Sequence, residues 1–250
     1  MKTDNIYQLI NQNCKQGKKM LSVLIDPDKY DLPSLLKIIK ISNEANIDFF
    51  FVGGSLMVGG EINQTIQVIK DNSDKKVVIF PGSPLQMNPM ADGILFLSLI
   101  SGRNPELLIG QHVIATPYLQ KTNLEVLSTG YLLIDCGSST TAQYISNTMP
   151  IPYEKGEIAA VTALAGEYLG LKLMYLDGGS GAKKPINIEM ILAVKKTISV
   201  PLIVGGGIRS ADAALNSYKA GADMIVVGNI LEKDPNLLFD IADKRYHEYS

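Results

Sequence analysis

The chain has 250 residues, 46% of them hydrophobic and 19% charged, with a net charge of -2, so it lacks the basic surplus of a nucleic-acid binder. Its two cysteines, Cys14 and Cys136, lie far apart without CxxC or Cys/His ligand spacing, which argues against a disulfide framework or a zinc site and fits a reducing cytoplasm. No basic segment followed by a long apolar run opens the sequence, and no apolar stretch approaches the roughly 20 residues that cross a bilayer, so no membrane span is expected.

Eight short apolar runs follow one another, each ending in Gly, Pro, Asp or Ser: MLSVLIDPD, IDFFFVGGS, KVVIFPGS, GILFLSLISG, YLLIDCGSS, LKLMYLDGGSG, VPLIVGGGI and ADMIVVGN. Runs that are apolar on both faces are what parallel strands look like when other layers cover them. Between them, LPSLLKIIKISNEAN, EINQTIQVIKDN, IEMILAVKKTI and ADAALNSYKAGA carry apolar residues at every third or fourth position, as amphipathic helices do. Eight β-α units predict an α/β fold, a single-domain TIM barrel over residues 1–250.

Two segments break the pattern. Between the third strand (around 77–80) and the fourth (around 94–97) stand only about a dozen residues, PGSPLQMNPMADG, with three prolines. That is close to the shortest parallel crossover, and the regular third helix is expected to be missing or replaced. The second is TAQYISNTMPIPYEKGE, an irregular stretch before a helix beginning near Gly156 and a candidate lid on the catalytic face.

Glycine clusters end three consecutive strands: Gly178, Gly179, Ser180 and Gly181 after the sixth, Gly205 and Gly206 after the seventh, Gly228 and Asn229 after the eighth. A P-loop is not the explanation, because Ala182 separates Gly181 from Lys183 and Lys184 stands where Ser or Thr is required. Barrels bind phosphate monoesters at these strand ends, where glycines let backbone N–H groups approach the oxygens and the next helix, from about Ser210, adds its positive end. Arg209 reads as a phosphate ligand or as a solvated helix-start residue.

Across the mouth, the first strand ends in Asp26-Pro27-Asp28-Lys29 and the second in Gly53-Gly54-Ser55. Magnesium takes hard oxygen ligands and often needs only one or two from protein, so Asp26 with Ser55 suffices for a diphosphate carried by Mg²⁺. A turn or helix-cap role stands beside that for Asp26, and equally for Asp28. Asp135 is expected to face the mouth, where with Asp26 it would form the acid/base pair of an alternative, a phosphate-barrel sugar-phosphate isomerase. That alternative lacks a second cradle, since FPGSP and SLISGRN occupy the relevant ends. A noncatalytic phosphate-binding barrel is a further rival. His112 and His247 are read as surface residues, and Tyr118, Tyr131 and Tyr144 as packing or pocket residues.

At DPDK, FVGGS, TGYLLIDCGSSTTAQYIS, PIPYEKGEIAAVTALAGEYLGLKLMYLDGGSGA, VPLIVGGGIRS and GADMIVVGN, the chain resembles the geranylgeranylglyceryl phosphate synthase family and its bacterial polyprenylglyceryl phosphate synthase relatives. The resemblance covers nearly the whole chain. It implies a modified TIM barrel without a regular third helix, and a prenyltransferase that joins sn-glycerol 1-phosphate to a prenyl diphosphate such as geranylgeranyl diphosphate with Mg²⁺. By matching motif, glycerol phosphate would be held by Tyr175, Leu176, Asp177, Gly178, Gly179, Ser180, Gly181, Gly205, Gly206, Gly228 and Asn229, and Mg²⁺ by Asp26 and Ser55. Asp177 would be the catalytic carboxylate, one methylene shorter than the glutamate of the commoner Tyr-Leu-Glu pattern. A homo-oligomer, and no more than transient membrane contact for the lipid product, are also implied.

Overall fold

In the computed structural model, which describes residues 5–246, the expected strands close into one parallel barrel in chain order. They are β1 (Met20–Ile25), β2 (Phe49–Val52), β3 (Lys76–Ile79), β4 (Gly93–Leu99), β5 (Glu125–Leu133), β6 (Leu173–Asp177), β7 (Leu202–Gly205) and β8 (Met224–Val227). Their continuous apolar character follows from burial on both faces, with successive side chains entering two different cores. Phe49, Phe51, Val78, Tyr131, Tyr175 and Met224 fill the barrel interior. Leu21, Phe50, Val77, Leu176, Val204 and Ile225 face the surrounding helices.

Those helices include α2 (Leu32–Glu44), α3 (Ile62–Asn72), α4 (Gln111–Leu119), α6 (Gly156–Tyr168), α7 (Ile188–Thr197), α8 (Ala211–Lys219) and α9 (Leu237–Asp243). Local chemistry sets where they start. Asp31 accepts the Ser34 N–H at 3.0 Å to cap α2, and Ser210 accepts the Ala213 N–H at 3.1 Å to cap α8. Among the described residues, no helix is long and apolar enough to cross a membrane.

The third helix is replaced as expected. Only one 3₁₀ turn, Pro84–Gln86, lies between β3 and β4, because prolines there remove the N–H groups a regular helix needs. The second irregular segment is more ordered than its sequence indicates. It forms a short helix, α5 (Thr141–Ser146), which ends at Asn147 in the left-handed conformation. The chain then pairs Ile151 with Ile134 before entering α6.

One element has no counterpart in the sequence reading: α1 (Ile6–Lys15) precedes β1 and closes the bottom of the barrel. Ile6 and Ile10 enter the interior cluster. The Glu125 carboxylate at the start of β5 accepts the Ile6 and Tyr7 N–H groups, a negative charge placed at a helix N-terminus. His247 lies outside the described residues.

Candidate active site

The three glycine clusters meet at the C-terminal end of the barrel. β6 pairs with β7 and β7 with β8, so the loops that follow are neighbours. Asn229 donates from Nδ2 to the Ser180 hydroxyl at 2.9 Å, tying the first loop to the third. Gly206 has φ +83°, and a Cβ there would stand 2.7 Å from the Gly178 nitrogen and 2.9 Å from that of Gly179, so a side chain would fill the cradle. The N–H groups of Ser180, Gly181, Gly206 and Gly207 have no backbone acceptor among the described residues. Together with the N-terminus of α8, they form a concave set of donors suited to a phosphate.

Asp177, the last residue of β6, lies just inside this cradle and is buried. Its Oδ1 accepts the Gly179 N–H at 2.8 Å, and its Oδ2 accepts the hydroxyl of Tyr131. Desolvation raises the carboxyl pKa above the usual aspartate range, and these two hydrogen bonds oppose the rise. The hydroxyls of Tyr131 and Tyr175 are pushed well above their ordinary pKa, first by burial and then by the charge of Asp177, so both remain proton donors. A carboxylate has about four lone-pair positions, so Asp177 keeps acceptor capacity for a ligand hydroxyl.

Tyr131, which sequence reasoning gives only as a packing or pocket tyrosine, is the residue the structure adds to the candidate site. The register pairs Tyr131 with Tyr175 and Leu133 with Asp177, which sets the Tyr131 ring diagonally across from the carboxylate on the interior face. The ring also packs against Phe80, with centroids 6.0 Å apart. The signal available in the sequence was its even spacing from the strand end, which fixes the face but not the partner.

An apolar groove begins beside the cradle, at Tyr131. Tyr131 and Phe80 wall one part, and Pro84 and Met87 of the helix-free crossover wall another. Ala142 and Ile145 of α5 cover it, and Ala115 and His112 of α4 reach into it. Both irregular segments therefore build one feature: a regular third helix would close the space that the 3₁₀ turn leaves open. Here one expectation is corrected. His112 is buried rather than on the surface, with its ring edge-on to Phe96 at 4.4 Å, because the inward face of α4 packs on β4. Burial lowers its pKa, while the carbonyls of Leu97 and Ile109 oppose that shift.

At the far rim, Asp26 directly follows β1 and Ser55 lies on the loop after the neighbouring β2, with Ile25 paired to Val52. Gly54 lies against the Asp26 carboxylate, so close that a Cβ would be 3.4 Å from it. Burial raises the Asp26 pKa, as does the nearby Asp28, whereas the Asp28 N–H and Lys29 lower it. Ser55 lines the mouth of the groove. A half-buried carboxylate on one strand-end loop and a hydroxyl on the neighbouring one supply hard oxygen donors of the kind a magnesium ion takes while sharing its remaining positions with water and diphosphate oxygens. Among the described residues no group of three or more His, Cys, Asp or Glu assembles into an all-protein metal cage.

Other expected residues fall elsewhere. Asp135 lies beyond the end of β5, exposed, and accepts the N–H of Gly137 in its own turn at 3.0 Å. It does not oppose Asp26 as a buried acid/base partner, because the chain leaves the barrel wall at Leu133. The Leu176 side chain faces the helices, so only its backbone is available to a ligand. Arg209 donates to the Ala182 carbonyl and braces the cradle loop from outside. Tyr118 and Tyr144 are exposed, and both cysteines are free.

A family model described as the PcrB family matches residues 14–245. The chain belongs to the PcrB family. Among PcrB relatives, it is 53% identical over 226 residues to a geranylgeranylglyceryl phosphate synthase of Spirosoma linguale, covering 90% of this chain and 91% of that one. It is 50% identical over 240 residues to the protein of that name from Chitinophaga pinensis, covering 96% and 95%. The crystal structure of (S)-3-O-geranylgeranylglyceryl phosphate synthase from Thermoplasma acidophilum, in complex with sn-glycerol-1-phosphate, superposes with a TM-score of 0.90 at 33% identity, covering 97% of this chain and 98% of that one.

Proposed function

We propose that this protein transfers a prenyl group from an isoprenoid diphosphate such as geranylgeranyl diphosphate to sn-glycerol 1-phosphate, forming an ether and releasing diphosphate. The supporting observation is that an anion cradle and an apolar groove meet at one pair of side chains, Tyr131 and Asp177. A phosphate headed by glycerol suits the first and a prenyl tail suits the second. The relatives bearing the synthase name, and the substrate named for the Thermoplasma acidophilum protein, point the same way.

In this reading the backbone donors around Gly178, Gly179, Ser180, Gly181, Gly205, Gly206, Gly228 and Asn229 grip the phosphate and turn the glycerol inward. Asp177 accepts a hydrogen bond from the terminal hydroxyl and orients its oxygen toward the groove. That oxygen forms a bond to the allylic carbon as the carbon–oxygen bond to diphosphate breaks, and the hydroxyl proton passes to Asp177. Tyr131 holds the carboxylate in place and keeps water out on the groove side. Asp26 and Ser55 would hold Mg²⁺, whose charge neutralises the departing diphosphate when bound.

A second copy of the chain is the proposed partner. α4 and the turn before it expose Ile109, Val113 and Ile114, each more than 60% accessible, although their other side faces the core. α6 and the residue that follows it likewise expose Val161, Tyr168 and Leu169. Helices apolar on both faces are a feature of buried positions. We place the protein in the cytoplasm, with membrane contact limited to delivery of the lipid product.

The test is an assay pairing each enantiomer of glycerol phosphate with prenyl diphosphates of several lengths, read by mass spectrometry. Ether product from the sn-1 enantiomer supports the reading. Isomerisation of a sugar phosphate without prenyl donor, or binding of glycerol phosphate without turnover, contradicts it.

A further inference from the structure

Ser55 stands on the loop between β2 and α3, at the rim of the barrel. The loop has little apolar anchorage, since Leu56 is 49% and Val58 is 85% exposed. Its place is set by polar ties from two sides. From the β1–α2 connection, the Asp28 carboxylate accepts the N–H of Val58 at 2.8 Å, that of Gly59 at 3.0 Å, and that of Gly60. From the 3₁₀ turn that replaces the third helix, the buried Gln86 side chain donates to the Gly54 carbonyl at 2.9 Å and accepts the Gly82 N–H at 3.0 Å. Both contacts are made at glycines with no room for a side chain. A Cβ on Gly60 would be 2.7 Å from the Pro27 oxygen, and one on Gly82 would be 2.7 Å from the Ser55 oxygen.

We propose that Asp28 and Gln86 are positioning residues that hold the β2–α3 loop so that Ser55 and Asp26 together receive the diphosphate end of the prenyl donor. Neither touches the cradle that would hold glycerol phosphate. Asp28 acts through three backbone N–H groups in a row, an arrangement that also absorbs its charge. A free carboxylate at this rim would repel a diphosphate; a carboxylate bound by these donors steadies the loop with less repulsion. Gln86 joins the loop to the crossover that opens the groove, so the polar and apolar ends of the donor site are set by one short segment.

Resting on the function proposed above, the two residues predict a split between the two ligands. The experiment measures, by calorimetry on the full chain, the binding of a nonreacting geranylgeranyl thiolodiphosphate with Mg²⁺ and, separately, of sn-glycerol 1-phosphate. The proteins are the parent, Asp28→Ala, Asp28→Asn and Gln86→Met, each also melted without ligand. Asp28→Ala is expected to weaken the donor analogue by about 10-fold and to raise the magnesium needed for its binding, as loss of an outer partner of a metal ligand does. Its affinity for glycerol phosphate should stay within about twofold of the parent's, an energy change well under one tenfold step. Asp28→Asn, which keeps one oxygen acceptor, should fall between. Gln86→Met should weaken the donor analogue too; if burial makes that variant unfold, exposed Asp28 decides alone. Donor binding by Asp28→Ala that equals or exceeds the parent's, or equal loss of both ligands, overturns the positioning role. A parent that binds neither ligand removes the functional reading and this role with it.

Discussion

The Tyr131 hydroxyl donates to Oδ2 of Asp177 while the Tyr131 ring walls the apolar groove, so a single side chain touches both halves of the site. That hydrogen bond favours the ionised carboxylate and opposes the desolvation that raises its pKa. Tyr131→Phe removes the larger of the two opposing hydrogen bonds and leaves the burial, with only the Gly179 N–H still favouring the charge. The acid limb of kcat/KM, which follows ionisation of Asp177, should therefore move to higher pH, with a loss of about 10-fold or more in rate on the plateau. A pH-rate profile checks this; a limb that stays in place would separate Tyr131 from the titration of Asp177.

Gly206→Ala tests the cradle. The substitution imposes a side chain on a backbone with φ +83° and drives its Cβ against the nitrogens of Gly178 and Gly179. Affinity for glycerol phosphate should fall by at least about 10-fold, and strain of about 1–3 kcal/mol should appear as a lower melting temperature. Binding of a prenyl diphosphate analogue should change little. Calorimetry with each ligand distinguishes a local cradle defect from a general one.

The barrel and its missing helix were legible because both are written in local chemistry: strands apolar on two faces, and Pro81, Pro84 and Pro89 where a helix would need donors. The cradle was legible because glycines mark close backbone approach. Other features depend on what barrel closure brings together. Tyr131 meets Asp177 only through the β5–β6 register, 46 residues apart in sequence. The burial of His112 depends on how α4 lies on β4, and the placement of α1 depends on Glu125, more than a hundred residues away. Asp135 departs from expectation for a related reason: two residues beyond the end of β5, alternation no longer fixes where a side chain points.

Asp26→Ala should abolish the magnesium dependence of donor binding and leave glycerol phosphate binding within a few-fold of the parent. Asp26 also accepts the Asp28 N–H at 3.1 Å within its own turn. If both ligands were lost together, that capping contact would be its main role. Titration with Mg²⁺ in the presence of each ligand gives the answer.

Asp177 also links activity to stability. Burial raises its folded pKa above the unfolded value, so its stabilising contribution is present below the unfolded pKa and is lost as pH rises through the folded one. At neutral pH the buried charge is a net cost. Asp177→Asn should melt at a higher temperature than the parent at neutral pH, with the difference shrinking as the solution is acidified; thermal melts across pH report it.

The most direct measurement is turnover of Asp177→Asn at saturating substrates beside its calorimetric affinity for sn-glycerol 1-phosphate. If Asp177 orients the glycerol hydroxyl and takes its proton, kcat falls by about 10²–10⁴-fold while the phosphate is still held nearly as tightly. Turnover equal to the parent's would contradict that role and leave Asp177 as a hydroxyl ligand only.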